Sequence, residues 1–183
     1  MKLGGVIVLG LILMALVSST GRADRVGYHG SIHLSAEVGE LRAEHGHDWS
    51  MAPHNARWDP FSAENSYLQL SNKATGAVLF RVPVPALTYI WISPDPKYVV
   101  GLSKVKLGNP YQIVVYSRSG ERLFARDLVD ASLSGKSESV TNWIFWYKEP
   151  VPKIEIIEND STVTLMVENP VGGSNQFQFS AGK

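Results

Sequence analysis

The sequence contains no cysteine. This absence excludes disulfide bonds, a cysteine nucleophile, thiolate metal ligands and a lipid-modified cysteine in the sequence. Small exported domains of oxidising compartments often accumulate disulfides. The lack of cysteine therefore favours a protein of the bacterial envelope over an animal secreted protein.

The sequence also lacks an excess of either charge, because 17 lysines and arginines balance 17 aspartates and glutamates. A chain without net positive charge has no global attraction to nucleic acid, and we expect no nucleic-acid partner. Basic residues are nevertheless concentrated in one segment, in which Glu121 is the only acidic residue. These residues, which predict a basic surface, are Lys97, Lys104, Lys106, Arg118, Arg122 and Arg126.

A long apolar run occurs only at the N-terminus. Lys2 is followed by apolar residues from 3 to 17 and by small and polar residues through Ala23, which is typical of a signal peptide. The run is about fifteen residues long, shorter than the eighteen or more of a membrane-spanning helix. We therefore expect residues 1–23 to be a cleaved signal peptide, no stable membrane span to remain, and a periplasmic or secreted location.

Helical periodicity is nearly absent from Tyr67 onward. Short apolar or alternating runs are separated by turn residues, as in antiparallel strands joined by hairpins. The clearest alternation places Val163, Leu165 and Val167 on one face of a strand. The sequence predicts an all-β fold, an antiparallel meander of about ten strands arranged as a sandwich, an open barrel or a propeller-like form.

The strand predictions divide the expected mature chain into two parts. Residues 24–66 are predicted to be a loop-rich segment packed on the same domain, with a strand at 31–38 and a long loop at 45–61. Residues 67–183 are predicted to be the antiparallel β region. Its strands are expected at 67–71, 78–82, 87–92, 98–103, 111–117, 122–128, 140–147, 153–157, 162–167 and 175–179.

One turn in this region has a distinctive sequence. The stretch Trp91-Ile92-Ser93-Pro94-Asp95-Pro96-Lys97 resembles the Trp-x-Ser-Pro-Asp-Gly-Lys strand turn in the blades of TolB-like β-propellers. The following runs, 113–116 and 123–124 on either side of Gly120, are similar as well. The resemblance covers residues 87–128 and implies one blade of four meandering antiparallel strands.

The histidines are clustered near the N-terminus, at His29, His33, His45, His47 and His54. His45 and His47 lie on the same side of an extended chain, and Asp48 and His54 are nearby donors. This set predicts a transition-metal site, for zinc or copper, in a metal-binding protein or a metal-dependent enzyme. The other interpretation is that the histidines are solvated residues of a polar loop.

Catalytic signatures are missing from the sequence. It has no Gly-x-Ser-x-Gly elbow and no His-Glu-x-x-His pair, and Ser134-Gly135-Lys136-Ser137 lacks the leading glycine of a phosphate-binding loop. We therefore expect no catalytic residue and no cofactor. The favoured function is non-enzymatic binding, and metal binding through the histidines is the alternative.

A candidate contact surface combines the basic segment with the aromatic run Trp143-Ile144-Phe145-Trp146-Tyr147, which places aromatics on both faces of a strand. The alternative is that these aromatics are core residues and that the basic residues are solvated. A surface of this composition fits an unknown protein or an acidic envelope polymer. Its candidate residues are Lys104, Lys106, Arg118, Arg122, Trp143 and Trp146.

Overall fold

A computed structural model of the protein describes residues 31–48, 65–106, 108–140 and 142–181. Within these ranges the regular structure consists of 13 strands, and every pairing between them is antiparallel. The predicted all-β fold is confirmed. The predicted signal peptide lies outside the described residues.

No helix among the residues that the structure describes is long and apolar enough to cross a membrane.

The first sheet is a meander of four strands. They are β1 (Ser31–Val38), β2 (Leu41–Asp48), β3 (Ser66–Asn72) and β4 (Val78–Pro83). Apolar and polar residues alternate along β1, so Leu34 and Ala36 point towards the core while Ser35 and Glu37 point outward. The predicted strand at 31–38 is confirmed.

The predicted loop at 45–61 is wrong for its first residues, because β2 continues through Asp48. His45 and His47 continue the alternation that begins with Leu41 and Ala43, and all four side chains are buried. The described part of the predicted loop-rich segment is therefore largely strand, in the same sheet as β3 and β4. Residues 49–64 lie outside the described part of the chain.

The second sheet contains four consecutive strands. They are β5 (Tyr89–Ile92), β6 (Tyr98–Leu102), β7 (Ile113–Ser117) and β8 (Arg122–Arg126). Nearly every residue of β6 and β7 is buried, which identifies this sheet as a layer covered on both faces. The resemblance of residues 87–128 to a propeller blade implies a meander of four antiparallel strands, and the second sheet is such a meander. The relationship to that family stays a prediction.

The C-terminal half forms a small ladder and a third sheet. The ladder pairs β9 (Ser137–Glu138) with β10 (Ile144–Phe145), and the sheet contains β11 (Ile154–Asn159), β12 (Thr162–Glu168) and β13 (Ser174–Ser180). The predicted strand at 140–147 is confirmed only at residues 144–145, which form β10, and is wrong on either side of them. Trp146 is anchored in the core by a hydrogen bond from its Nε1 to Ser103 O at 2.8 Å, and the Tyr147 hydroxyl lies 2.7 Å from Thr88 Oγ1.

Two hydrophobic clusters lie on opposite faces of the second sheet. Val99 and Val114 pack against the first sheet, whereas Val100, Leu102 and Val115 pack against the third. The three sheets are therefore stacked as layers, and the second sheet is the central one.

The two outer faces of the stack are polar. Exposed Ser35 and Glu37 lie on the outer face of the first sheet, and exposed Gln176 and Gln178 lie on that of the third. Polar outer faces need no further apolar layer to cover them.

Substitution on the two faces of β12 should have opposite consequences. Leu165→Ala removes a fully buried side chain and should lower the free energy of unfolding by about 2–5 kcal/mol. Thr164→Ala changes a half-exposed neighbour on the other face and should change it by less than about 0.5 kcal/mol. Urea denaturation measures both variants, and similar losses would contradict the assigned inner face.

Candidate functional site

Several hairpin turns gather at one end of the stack. The turn between β1 and β2 contacts the turn between β3 and β4 through a hydrogen bond from Lys73 N to Glu40 O at 2.7 Å. The turn between β7 and β8 contacts the turn between β5 and β6 through a hydrogen bond from Arg118 N to Lys97 O at 2.8 Å. The connections between consecutive sheets leave from the opposite ends of the strands.

The turn between β5 and β6 is held in one conformation. Tyr98 N donates to Ser93 Oγ at 3.0 Å, and Ser93 N donates to Tyr98 O at 3.0 Å. Pro94 and Pro96 fix two further φ angles. Partial burial opposes ionisation of Asp95, but hydrogen bonds from Ser93 and Lys97 outweigh it and lower the pKa of the Asp95 carboxyl.

Three adjacent cavities surround this turn. A cavity of about 560 Å³ lies on the side of Leu79 and Leu123, one of about 540 Å³ lies beside β11, and one of about 360 Å³ lies beside the turn between β1 and β2. Each cavity shares lining residues with the other two. We call these shared residues the turn surface; they are Pro94, Asp95, Pro96, Lys97 and Arg118.

The two cations of the turn surface differ in their partners. Lys97 Nζ lies 2.9 Å from a Glu158 oxygen and 3.4 Å from an Asp95 oxygen, and these hydrogen bonds raise the pKa of its ammonium group. Arg118 is exposed and forms no ion pair with any residue in the described ranges. Its guanidinium is therefore available to a partner.

The structure does not bring the basic segment onto one face. Lys97 and Lys104 lie beyond opposite ends of β6, about 20 Å apart along an extended chain. Lys104 forms an ion pair with Glu149, and Lys106 Nζ lies 3.2 Å from a Glu138 oxygen. Glu138 also binds Lys136 at 3.0 Å. Acidic residues distant in sequence thus neutralise two of the predicted contact residues.

The other predicted contact residues, Arg122, Trp143 and Trp146, also lie in different parts of the structure. Arg122 is exposed in β8, close to the turn end. Trp143 is half-buried, its ring centroid 6.4 Å from that of Phe145, and Lys104 Nζ lies 5.5 Å from it. Trp146 is fully buried and packs edge-on against a neighbouring aromatic ring, so it offers no surface to a partner.

His45 is a buried link between the first sheet and the segment that leads to the second. Its Nδ1 lies 2.8 Å from Tyr67 O, and its Nε2 lies 3.0 Å from Leu87 N. A carbonyl oxygen only accepts and a backbone N–H only donates, so Nδ1 carries the proton and Nε2 accepts. Burial lowers the pKa of His45 to about 3.

The other proposed metal ligands are less closely defined. His47 Nδ1 lies 2.7 Å from Ser66 Oγ, and burial lowers the pKa of His47 to about 4. Asp48 ends β2, and His54 lies outside the described residues. Within the described ranges no three potential ligands form a metal-binding group. The metal site stays a prediction, and a metal at His45 would have to displace a backbone hydrogen bond.

Sequence reasoning proposed Arg118 as a contact residue and singled out the turn at 91–97, but it did not join them into one surface, and it missed the structural role of His45. A signal for His45 was present, because Leu41, Ala43, His45 and His47 continue one alternation and therefore share one face. No local signal relates the turn at 91–97 to Arg118. The residues of the turn surface come from two turns that only the three-dimensional fold brings together.

Acid should destabilise the fold from about pH 6.5 downward. His45 and His47 remain neutral in the folded protein, with pKa values of about 3 and about 4, whereas an unfolded histidine titrates near 6.5. Below pH 6.5 the unfolded chain therefore binds protons that the folded chain does not. The free energy of unfolding should fall by about 1.4 kcal/mol per pH unit for each histidine.

Denaturation from about pH 8 to about pH 5, above the range where most carboxylates titrate, measures this slope. His45→Gln should be less stable throughout but should lose the slope that His45 contributes. An unchanged slope in that variant would contradict the assignment.

The metal hypothesis has a direct test. Purified protein and a His47→Ala/Asp48→Ala variant are titrated with zinc and copper, with binding measured by calorimetry. Stoichiometric binding that disappears in the variant would support a metal site at the end of β2. Equal weak binding by both proteins would contradict it. His33→Ala, whose side chain lies on the face of the sheet opposite to that of His47, is the matched control.

Comparisons with known proteins identify no family. No family model matches the chain, and no curated protein matches it. A solved structure described as the crystal structure of the eukaryotic initiation factor is similar at 14% identity and a TM-score of 0.37. The match covers 85% of this chain and 42% of that one, so this chain spans less than half of its length. Likeness at this level carries no functional inference.

Proposed function

We propose that the protein is a non-enzymatic binding protein, exported to the bacterial envelope as a periplasmic or secreted protein, and that the turn surface contacts its partner. The observation that carries the proposal is the convergence of three cavities on five residues, among them Arg118, which has no ion pair with any described residue. Rigid sheets that present turns at one end are a common platform for recognition.

The charges of the surface favour a protein partner over an acidic envelope polymer. Binding to a polyanion requires several free cations in a row. Lys97, Lys104 and Lys106 are each neutralised by at least one carboxylate, which leaves Arg118 as the cation of the turn surface that has no ion pair in the described ranges; exposed Arg122 lines none of the three cavities. One free arginine among neutralised neighbours suits a single carboxylate on a folded or extended polypeptide.

The composition of the largest cavity supports the same partner class. Leu79 is 41% exposed and lines this cavity together with half-buried Leu123. Arg118 and Glu121 line the same cavity. An apolar patch beside an arginine is typical of protein interfaces, where arginine is enriched.

The rigidity of the turn between β5 and β6 reduces the entropic cost of binding. Its two prolines and the paired hydrogen bonds between Ser93 and Tyr98 already fix the backbone. A preorganised surface loses little conformational freedom when a partner docks. We further propose that the second sheet is related to a TolB-like blade, since the residues that carry this resemblance form the turn.

Reversing the charge of Arg118 should weaken partner binding. Arg118→Glu is expected to reduce capture of proteins from envelope extracts by at least about tenfold, a loss of about 1.4 kcal/mol. Quantitative mass spectrometry compares wild type, Arg118→Glu and Arg126→Glu. Arg126 is the matched control, because it is an exposed arginine on β8 that lines none of the three cavities.

A photo-crosslinking residue checks the location independently. Placed at Ser119, which is exposed and lines the largest cavity, it should form adducts with the captured partner. Placed at Ser35, on the outer face of the first sheet, it should not. Adducts from Ser35 alone, or equal capture by the Arg118 and Arg126 variants, would refute the assigned surface.

A further inference from the structure

Strand β13 differs in composition from the other long edge strands. Its residues, Ser174-Asn175-Gln176-Phe177-Gln178-Phe179-Ser180, include no charge and no proline. Edge strands are usually protected from pairing by such residues. The other edge strands of five or more residues carry them: Glu37 in β1, Arg81 and Pro83 in β4, Arg122 and Arg126 in β8, Glu155 and Glu158 in β11.

The outer edge of β13 has no backbone partner in the described part of the chain. One edge pairs with β12 without interruption, from Ser180 opposite Thr162 to Ser174 opposite Glu168. No backbone hydrogen bond joins the other edge to any described residue. Unpaired N–H and C=O groups on a flat edge are a template for another strand.

We infer that β13 pairs antiparallel with β13 of a second copy of this chain, about a two-fold axis near Gln178. Antiparallel pairing about this axis places like faces together. Phe177 meets Phe179 on the core face, Gln176 meets Ser180 on the polar face, and Gln178 meets its own copy. The third sheets of the two copies then form one continuous sheet of six strands.

The surroundings of β13 fit a second copy. Half-buried Phe124 of β8 packs against the core face of β13, its ring centroid 6.1 Å from that of Phe177 and 5.6 Å from that of Phe179. A second copy brings an identical aromatic cluster to the same edge, so the cluster continues across the axis. The edge carries no charge that would select a charged peptide, and a second copy places phenylalanine opposite phenylalanine and polar residue opposite polar residue.

The extent of pairing is limited at the start of β13. Asn175 Oδ1 accepts a hydrogen bond from Ser134 N at 3.1 Å, so the segment around Ser134 lies against this part of the strand. Pairing is therefore confined to residues 176–180. An interface of this size is smaller than that of a stable complex, so the dimer should be weak and depend on concentration.

Charge at the two-fold axis provides the test. Gln178 is exposed on the polar face, so Gln178→Lys and Gln178→Glu should leave the fold intact, as circular dichroism will verify. Analytical ultracentrifugation of wild type between about 10 and 500 µM should show a monomer–dimer equilibrium. Each variant alone places like charges together and should raise the dimer dissociation constant at least tenfold. An equimolar mixture of the two should recover a dimer.

The matched control is the pair Ser35→Lys and Ser35→Glu, on the exposed face of the edge strand β1. These variants should associate as wild type does, and so should Arg118→Glu, because no residue of the turn surface belongs to β13. Wild type that stays monomeric throughout the range would overturn the inference. So would a dimer that is insensitive to charge at residue 178, or a mixture that fails to restore it.

Discussion

The stack depends on the burial of the second sheet on both faces. In β6 and β7 the side chains alternate between two cores, with Val99 and Val114 on one side and Val100, Leu102 and Val115 on the other. Burial of each large apolar side chain contributes about 1.5–3 kcal/mol. Each core needs side chains from an outer sheet, so both the first and the third sheet are required to bury the second. The outer faces of these two sheets contribute to neither core and can therefore be polar.

His45 adds a directional bond to this non-directional packing. It accepts a hydrogen bond from Leu87 N, in the segment that joins the first sheet to the second, and it donates to Tyr67 O within the first sheet. Hydrophobic burial alone would allow the two layers to slide, whereas a buried imidazole with both nitrogens engaged fixes their relative position. The cost is that the fold tolerates a proton at this position poorly.

Much of the fold could be predicted from the sequence, because local alternation and turn residues determine antiparallel hairpins. The strand at 31–38 and the inward face of Val163, Leu165 and Val167 follow from that pattern alone. The strand at 140–147 could not be predicted correctly, since its aromatics leave the ladder for long-range partners. The candidate site was harder still, because the ion pair of Lys106 with Glu138 and the approach of Arg118 to Lys97 join residues that no local pattern relates.

The two ends of the stack differ in the connections they carry. Connections that carry it from one layer to the next, such as 84–88 and 127–136, lie at the end opposite the turn surface, and some contribute side chains to the cores. The tight turns at the other end only reverse direction within a sheet. Insertions or substitutions there can accumulate without changing the path of the chain between layers. The sequence of the turns at this end can therefore diverge between related chains while the stack beneath them stays the same.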